Sequence, residues 1–413
     1  MTIMNRIVLI GNGFDLAHGL PTRYEDFINW YWDQRVGEFS KAGNISKDCL
    51  CTFEIEQPYK WYGFYGQIIS PFGKPKGKDI IESVLKGQYG VKMKHSFSPF
   101  FQNIIKSIKT KGWVDIENEY YNMLVKCTIG VTYDTNLDEL NNQFRFLTER
   151  LVEFLKSVNS NTIARIEGIW DCIYSPIKPK EVSIEGQSFI EQCVNYWLGA
   201  DEQVIHEKID HYGLTESLCM NNVKRYKESV SAKSDYHNDY PQLFMLPDNI
   251  MLLNFNYTET ANSYRNKDVS VVNHIHGELQ NPDGIIFGYG DELDDKYEKL
   301  KALNNNECLR NIKSIKYLES DNYRKVLEFI ESAPFQVLIM GHSCGNSDRT
   351  LLNTLFEHKN CISIKPYYHQ KADGSDNYLD IIQNISRNFT DMKLMRDRVV
   401  NKTYCEPLPQ ANS

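Results

Sequence analysis

RIVLIGNGFDLAHGLP, residues 6–21, is the stretch that decides the fold. Ile7, Val8, Leu9 and Ile10 form a short apolar run rich in β-branched residues, the mark of a buried strand. Gly11 and Gly13 follow on either side of Asn12, and Phe14 and Asp15 come next. Glycine accepts backbone angles that other residues resist, and without a Cβ it lets another group approach the main chain. A turn that leaves a strand and enters a helix presents free N–H groups, which suits an anion such as a pyrophosphate. The match to the dinucleotide fingerprint is partial. Leu16 stands at the third glycine position. About 20 residues on, where a ribose-binding acid closes a second strand, the chain has an aromatic helix pattern around Trp30 and Trp32. An ordinary strand-to-helix turn remains the alternative.

Later stretches resemble the first. IMLLNFNYT (250–258), VSVVNHIHGEL (269–279), GIIFGYGDE (284–292) and FQVLIMGHSCGNSD (335–348) read as strands, and CISIKPYY (361–368) as the last one. Their apolar runs give way to small or polar residues. In an open parallel sheet such ends share one edge, where ligands bind. Gly11 to Asp15, Asn254 to Thr258, His276 with Gly277, and Gly341 to Asp348 are therefore expected to converge on one cleft.

Between the first strand and residue 245 the pattern is mostly helical. Thr22 and Glu25 have the spacing of a capping box, ahead of Tyr24, Phe27, Ile28, Tyr31 and Trp32 on one helix face. Leu137, Leu140, Phe144, Leu147, Leu151, Phe154 and Val158 make a heptad seam, read as core packing in preference to a dimerising coiled coil. The expected layout is a discontinuous nucleotide-binding domain, 1–20 plus 246–400. A mainly helical insertion spans 21–245, and 401–413 form a flexible tail.

At 413 residues the chain is long enough for two or three core-bearing units, and its net charge of −8 argues against nucleic acid as a partner. Residues 71–111 run the other way, with nine lysines against Asp79 and Glu82 and no arginine, and read as a solvated loop. No apolar run reaches membrane-spanning length, and the start has no signal-peptide pattern. The ten cysteines contain no C-x-x-C pair, which excludes a disulfide framework and a structural zinc site of that kind. A reducing cytoplasm is the expected setting.

The candidates for chemistry are Asp15, Asn256, His274, His276, Ser343 and Asp348. His276 is the best general base, because histidine titrates near neutral pH. Asn256 can fix a water or a carbonyl; as a turn former it could equally cap its own backbone. His274 and His276 would face one side of a strand, but no third ligand has metal spacing, so no metal is expected. Gly341-His342-Ser343-Cys344-Gly345 matches G-x-S-x-G between a strand and a helix-like DRTLLNTLF. The acid and histidine that a serine hydrolase needs do not follow in order. Asp115 and Glu117 could reach a cleft, although Asp115 reads better as a helix cap.

LIGNGFDLAHGLPTRYEDF (9–27) closely resembles the N-terminal signature of the bacteriophage abortive-infection AbiH family. GWVDIENEY, NFNYT, HIHGEL, FGYGDE and GHSCGNSD follow in the order that family has. The family in turn resembles the sirtuin-like NAD-binding fold, which implies a doubly wound parallel sheet with a large helical insertion. The resemblance implies phage defence. It places Gly11, Asn12, Gly13, Phe14 and Asp15 around the dinucleotide, with Tyr257, Gly341, Ser343 and Asp348 as further contacts. Asn256 and His276 would be catalytic, with Asn256 positioning the reactive water or ribose. Two departures bear on the reaction. Asp15 stands where sirtuins usually have serine, and only Cys308 lies where they insert a four-cysteine zinc module. Deacylation is therefore disfavoured. The reaction implied is hydrolysis of NAD at the nicotinamide–ribose bond, the activity of defence proteins with a similar fold. The alternatives are a non-catalytic sensor of a nucleotide or phage component, and a hydrolase or nuclease acting elsewhere. Expected partners are NAD or a related nucleotide, a phage-derived trigger and further copies of the chain.

Overall fold

The computed structural model describes residues 4–42, 45–57, 59–61, 76–87, 90–111, 115–130, 136–158, 163–232 and 240–411. Within them the strands are β1 (Asn5–Ile10), β2 (Ile45–Lys47), β3 (Cys51–Ile55), β4 (Met93–Phe97), β5 (Asn249–Asn254), β6 (Ser270–His274), β7 (Phe335–Met340) and β8 (Cys361–Tyr367). The run that opens the chain is the middle of a five-stranded sheet ordered β6-β5-β1-β7-β8. Every pairing in it is parallel, and Ile7 lies opposite Met251 on one side and Val337 on the other. Counted by its own strands, the order is 3-2-1-4-5, as in doubly wound sheets. The switch point lies between β1 and β7, the place where such sheets bind ligands.

Alternation along the strands sends side chains to two covered faces. Ile7, Leu9, Met251, Leu253, Val337 and Ile339 point to one face. There they meet Val326 and Ile330 of the helix Asn322–Ser332, Leu351 and Leu355 of Arg349–Phe356, and Ile385 of Tyr378–Arg387. Val8, Ile10, Ile250, Leu252, Leu338 and Met340 point to the other face, against Phe14, Ile169, Ile173 and Tyr264. Burial on both sides is why these strands read as unbroken apolar runs. β1 begins with two buried polar residues, Asn5 and then Arg6. Arg6 is 1 % exposed, and burial lowers its pKa. Its Nη1 donates to the carbonyls of Ile173 (2.6 Å) and Ser175 (2.7 Å), while Nε and Nη2 donate to Gln336 Oε1 (3.1 and 2.8 Å).

The chain divides into two compact units. The sheet belongs to one made of Met1–Leu20, Asn161–Ile286 and Ser314–Ser413; the other is Pro21–Ser160 with Phe287–Lys313. In the sheet unit, helices between 187 and 231 bury Ile190, Trp197, Ile205 and Val223 with Met4 and Ile362. Residues 401–411 are also tied to this unit: Leu408 N–H donates to Tyr368 O (2.8 Å) and Ala411 N–H to Ala17 O (2.9 Å). In the second unit the heptad seam lies on the helix Leu137–Val158 and is core: Phe144 stacks on Tyr120 and Phe287, and Phe154 meets Phe27 and Trp30. β2, β3 and β4 form an antiparallel sheet there.

Several expectations are corrected. GIIFGYGDE adds no strand to the sheet; its only ladder contact is an isolated bridge between Tyr289 and Ile312. The described part of the lysine-rich segment is ordered secondary structure, because Ile80, Ile81 and Val84 bury one face of the helix Gly77–Leu85, and Phe100, Phe101 and Ile104 that of Pro99–Lys111. Residues 71–75 lie outside the described residues. The capping contact sits one residue later than the expected box: the helix begins at Tyr24, and the Arg23 N–H donates to Asp26 Oδ2 (3.1 Å). The β2–β4 sheet was not foreseen. Among the described residues no helix is long and apolar enough to cross a membrane.

Arg6 supplies a stability prediction. Arg6→Met leaves Gln336 Oε1 and two carbonyls without their donor in the interior. The expected loss is about 3 kcal/mol, read as a lower denaturant midpoint. A change under about 0.5 kcal/mol, the range of ordinary surface substitutions, contradicts it.

Candidate functional site

The strand ends meet in two layers. The first is main chain, at the switch point. Gly11 N–H donates to Met340 O (3.2 Å) and Gly13 N–H to Gly341 O (2.8 Å). Gly341 has φ +76°, and a Cβ on it would collide with Phe14 N. A Cβ on Gly13 would lie 2.8 Å from Gly341 Cα, and one on Gly11 2.5 Å from His342 Cα. The glycines read as a ligand cradle are the surfaces by which one turn touches the other. Asn256 ties β5 into the same knot: its Nδ2 donates to Gly11 O (3.0 Å), and its N–H donates to Asn254 Oδ1 (3.1 Å).

Asp15 is buried behind this knot, in the short helix Asn12–Ala17, and its Oδ2 accepts from the Thr258 hydroxyl (2.7 Å). Burial pushes its pKa up to about 6, and the hydroxyl only partly opposes this. Phe14 is fully buried, between His18 and Tyr264.

The second layer is side chains. Phe255, at the end of β5, is its floor: the His342 ring lies 4.1 Å from the Phe255 ring and the His276 ring 5.3 Å, centroid to centroid. Above it, one carboxylate lies between two imidazoles. Asp348 Oδ1 is 3.4 Å from His276 Nε2, and Oδ2 is 3.5 Å from His342 Nε2. All three side chains are 90 % or more buried. His276 Nε2 also lies 3.2 Å from the Tyr317 hydroxyl, whose ring stacks on Tyr323. The turn carrying His342 is clamped from outside: Asn384 Nδ2 donates to Ser343 O (2.8 Å) and Asn388 Nδ2 to Cys344 O (2.9 Å).

The expected site residues thus separate. Asn256, His276, Asp348 and the glycines of both turns come together. Asn12 and Ser343 are exposed at the same edge, and Asn256 and Tyr257 are half-buried. The Tyr257 hydroxyl donates to Ile286 O (3.1 Å). His274 does not face the same group as His276. β6 ends at His274, whose Nδ1 is 3.2 Å from Asn254 Nδ2, whereas His276 lies beyond the strand. Ser343 is no nucleophile elbow, because its hydroxyl has no hydrogen-bond partner among the described residues and the left-handed residue is Cys344 (φ 54°). Asp115 caps the helix Ile116–Thr128, accepting from Asn118 N–H (3.0 Å), and Glu117 pairs with buried Lys313 (2.9 Å). Two members of the cluster were missed. His342 lay in view beside Ser343 without a role, and Tyr317 carries no local signal.

Two measurements test this geometry. Gly341→Ala is expected to cost at least about 2 kcal/mol from the left-handed backbone alone, with the collision at Phe14 added. Gly345→Ala, whose nearest contact would be 3.6 Å away, should be tolerated, and equal melting temperatures for the two variants would refute the packing role. Asp15 makes stability pH-dependent. Its carboxyl binds a proton more tightly in the fold (about 6) than at its ordinary value of 3.8. Its contribution is therefore full below about pH 4 and is lost as pH rises through about 6. Relative to Asp15→Asn, the wild type should lose about 2–3 kcal/mol across that window, measured by urea unfolding at a series of pH values.

No curated protein and no solved structure matches the chain significantly. A family model does, over residues 7–369, and its span takes in both turns, Asn256, His276 and Asp348. The chain belongs to the bacteriophage abortive infection AbiH family.

Proposed function

We propose that this protein acts in phage defence by hydrolysing NAD at the nicotinamide–ribose bond, on the carboxyl edge of the sheet. Family membership suggests the abortive-infection role. The observation that carries the reaction is the meeting of Asn256 and the His276–Asp348 pair at the switch edge of a sheet ordered 3-2-1-4-5. Dinucleotides bind at that edge in doubly wound sheets, as in sirtuin-like proteins. NAD is a substrate here, met by Asn12, Tyr257 and Ser343; of the other expected contacts, Phe14 and Asp15 lie buried behind the edge, the glycines face the opposing turn, and Asp348 is held between His276 and His342. Of the first three, Asn12 and Ser343 are the exposed groups.

The chemistry is a substitution at the anomeric carbon. Asn256 Nδ2 is committed to Gly11 O, which leaves Oδ1 to accept from a water. The water oxygen bonds to the anomeric carbon as the glycosidic bond breaks. The bonding electron pair leaves with nicotinamide, and the water's proton passes to His276 and then to solvent. The transition state carries oxocarbenium charge, which nearby phosphates and carboxylates stabilise.

The test is cellular. Cells expressing wild type, Asn256→Ala or His276→Ala are challenged with phage, and NAD and nicotinamide are followed by mass spectrometry. NAD should fall and nicotinamide rise with wild type, with consumption at least about 100-fold slower in each variant. Protection that needs both residues while NAD stays level makes the edge a sensor or the site of another reaction.

A further inference from the structure

The proposed reaction uses one imidazole, yet two share the Asp348 carboxylate. Hydrogen-bond logic separates them. His342 Nδ1 lies 3.0 Å from the Cys344 N–H. A backbone N–H can only donate, so Nδ1 accepts and carries no proton. The ring proton of His342 is therefore on Nε2, the atom 3.5 Å from Asp348 Oδ2. A second proton on His342 would set two N–H groups against each other. The peptide that makes this choice is itself held. Its carbonyl, Ser343 O, accepts from Asn384 Nδ2 (2.8 Å) while its N–H serves His342.

A buried carboxylate needs a positive partner or strong donors. His342 offers a neutral N–H to Oδ2. His276 Nε2 stands 3.4 Å from Oδ1, where an imidazolium N–H can donate to the carboxylate. The Tyr317 hydroxyl lies 3.2 Å from the same nitrogen. The Cys344 thiol also faces Asp348, and burial pushes its pKa well up, so it adds no charge.

We infer that His276 is the proton-carrying imidazole of this edge, and that Asp348, His342 and the Ser343–Cys344 peptide are positioning groups that hold it. His342 acts as a fixed Nε2–H donor to Asp348 and exchanges no proton with substrate. The inference rests on the reading of His276 as the acid–base residue, but its test does not need NAD to be the substrate.

The full chain is labelled with 15N-histidine, and ring nitrogens are followed from about pH 5 to pH 8, the range in which histidine ordinarily titrates. His276→Gln and His342→Gln assign the signals. At pH 8 His342 should show the Nε2–H tautomer, while the His276 signals should change across the range. In Asp348→Asn the His276 transition should move down by about one pH unit or more. His342→Gln gives a functional arm. Its Oε1 can accept from Cys344 N–H and its Nε2 can donate to Asp348, so phage protection should survive. His342→Leu can do neither and should lose protection about tenfold or more. An Nδ1–H form of His342 in the wild type at pH 8 overturns the inference, as does loss of protection in a folded His342→Gln. If His342→Leu fails to fold, the wild-type spectra still decide. If protection persists while NAD stays level, the NAD reading fails and these spectra and the glutamine variant still stand or fall on their own.

Discussion

The contact between Gly13 and Gly341 is the constraint on which the edge depends. β1 and β7 lie side by side, about 4.8 Å apart as neighbouring strands are, and both must turn at the same level. With no Cβ on either glycine, the two turns touch through main chain. Gly341 then enters the left-handed region, and the chain after it folds back over the sheet edge. That path carries His342 and Asp348 across the ends of β1 and β5, toward His276 arriving from β6. Three strand spacings, roughly 14 Å, separate β7 from β6, and the turn closes that distance. Phe255 then needs only to be flat and apolar to seat both rings.

Much of the sheet was legible because burial on both faces leaves a plain signature. β1, β5 and β7 appear as apolar runs with small or polar residues just beyond them. The edge location of the site followed from those residues. What the glycines are for did not follow. A residue without a Cβ marks a close approach, and nothing local says whether the visitor is a phosphate or another loop. GIIFGYGDE looked like a strand for the same local reason. Its Phe287 instead stacks on Phe144, and Gly288 N–H donates to Glu117 Oε1 (3.1 Å), so its apolar and glycine positions serve another core.

The remaining misses have distinct physical causes. β3 alternates cleanly, with Cys51, Phe53 and Ile55 buried, but over five residues only, and β4 hardly alternates at all. In the lysine-rich segment, charge obscured a helical pattern that Ile80, Ile81 and Val84 carry. The helices between 187 and 231 are polar enough that composition could not say which core they join; Trp197, Ile205 and Val223 answer that only through packing. Tyr317 reaches His276 from a stretch with no periodicity, so only the fold reveals it.

The order of the strands also governs when this edge comes into being. β1 is the central strand, but its partners begin far along the chain, at Asn249 and Phe335. A ribosome-bound chain therefore holds the apolar run Ile7–Ile10 without its sheet neighbours until β5 is made. Contacts so distant in sequence form slowly, and the waiting strand is a natural client for chaperones. The same delay is protective. His342 and Asp348 are translated after His276, so a prematurely terminated chain lacks the assembled cluster. The cluster is therefore complete only once β7 and the turn after it have joined β1.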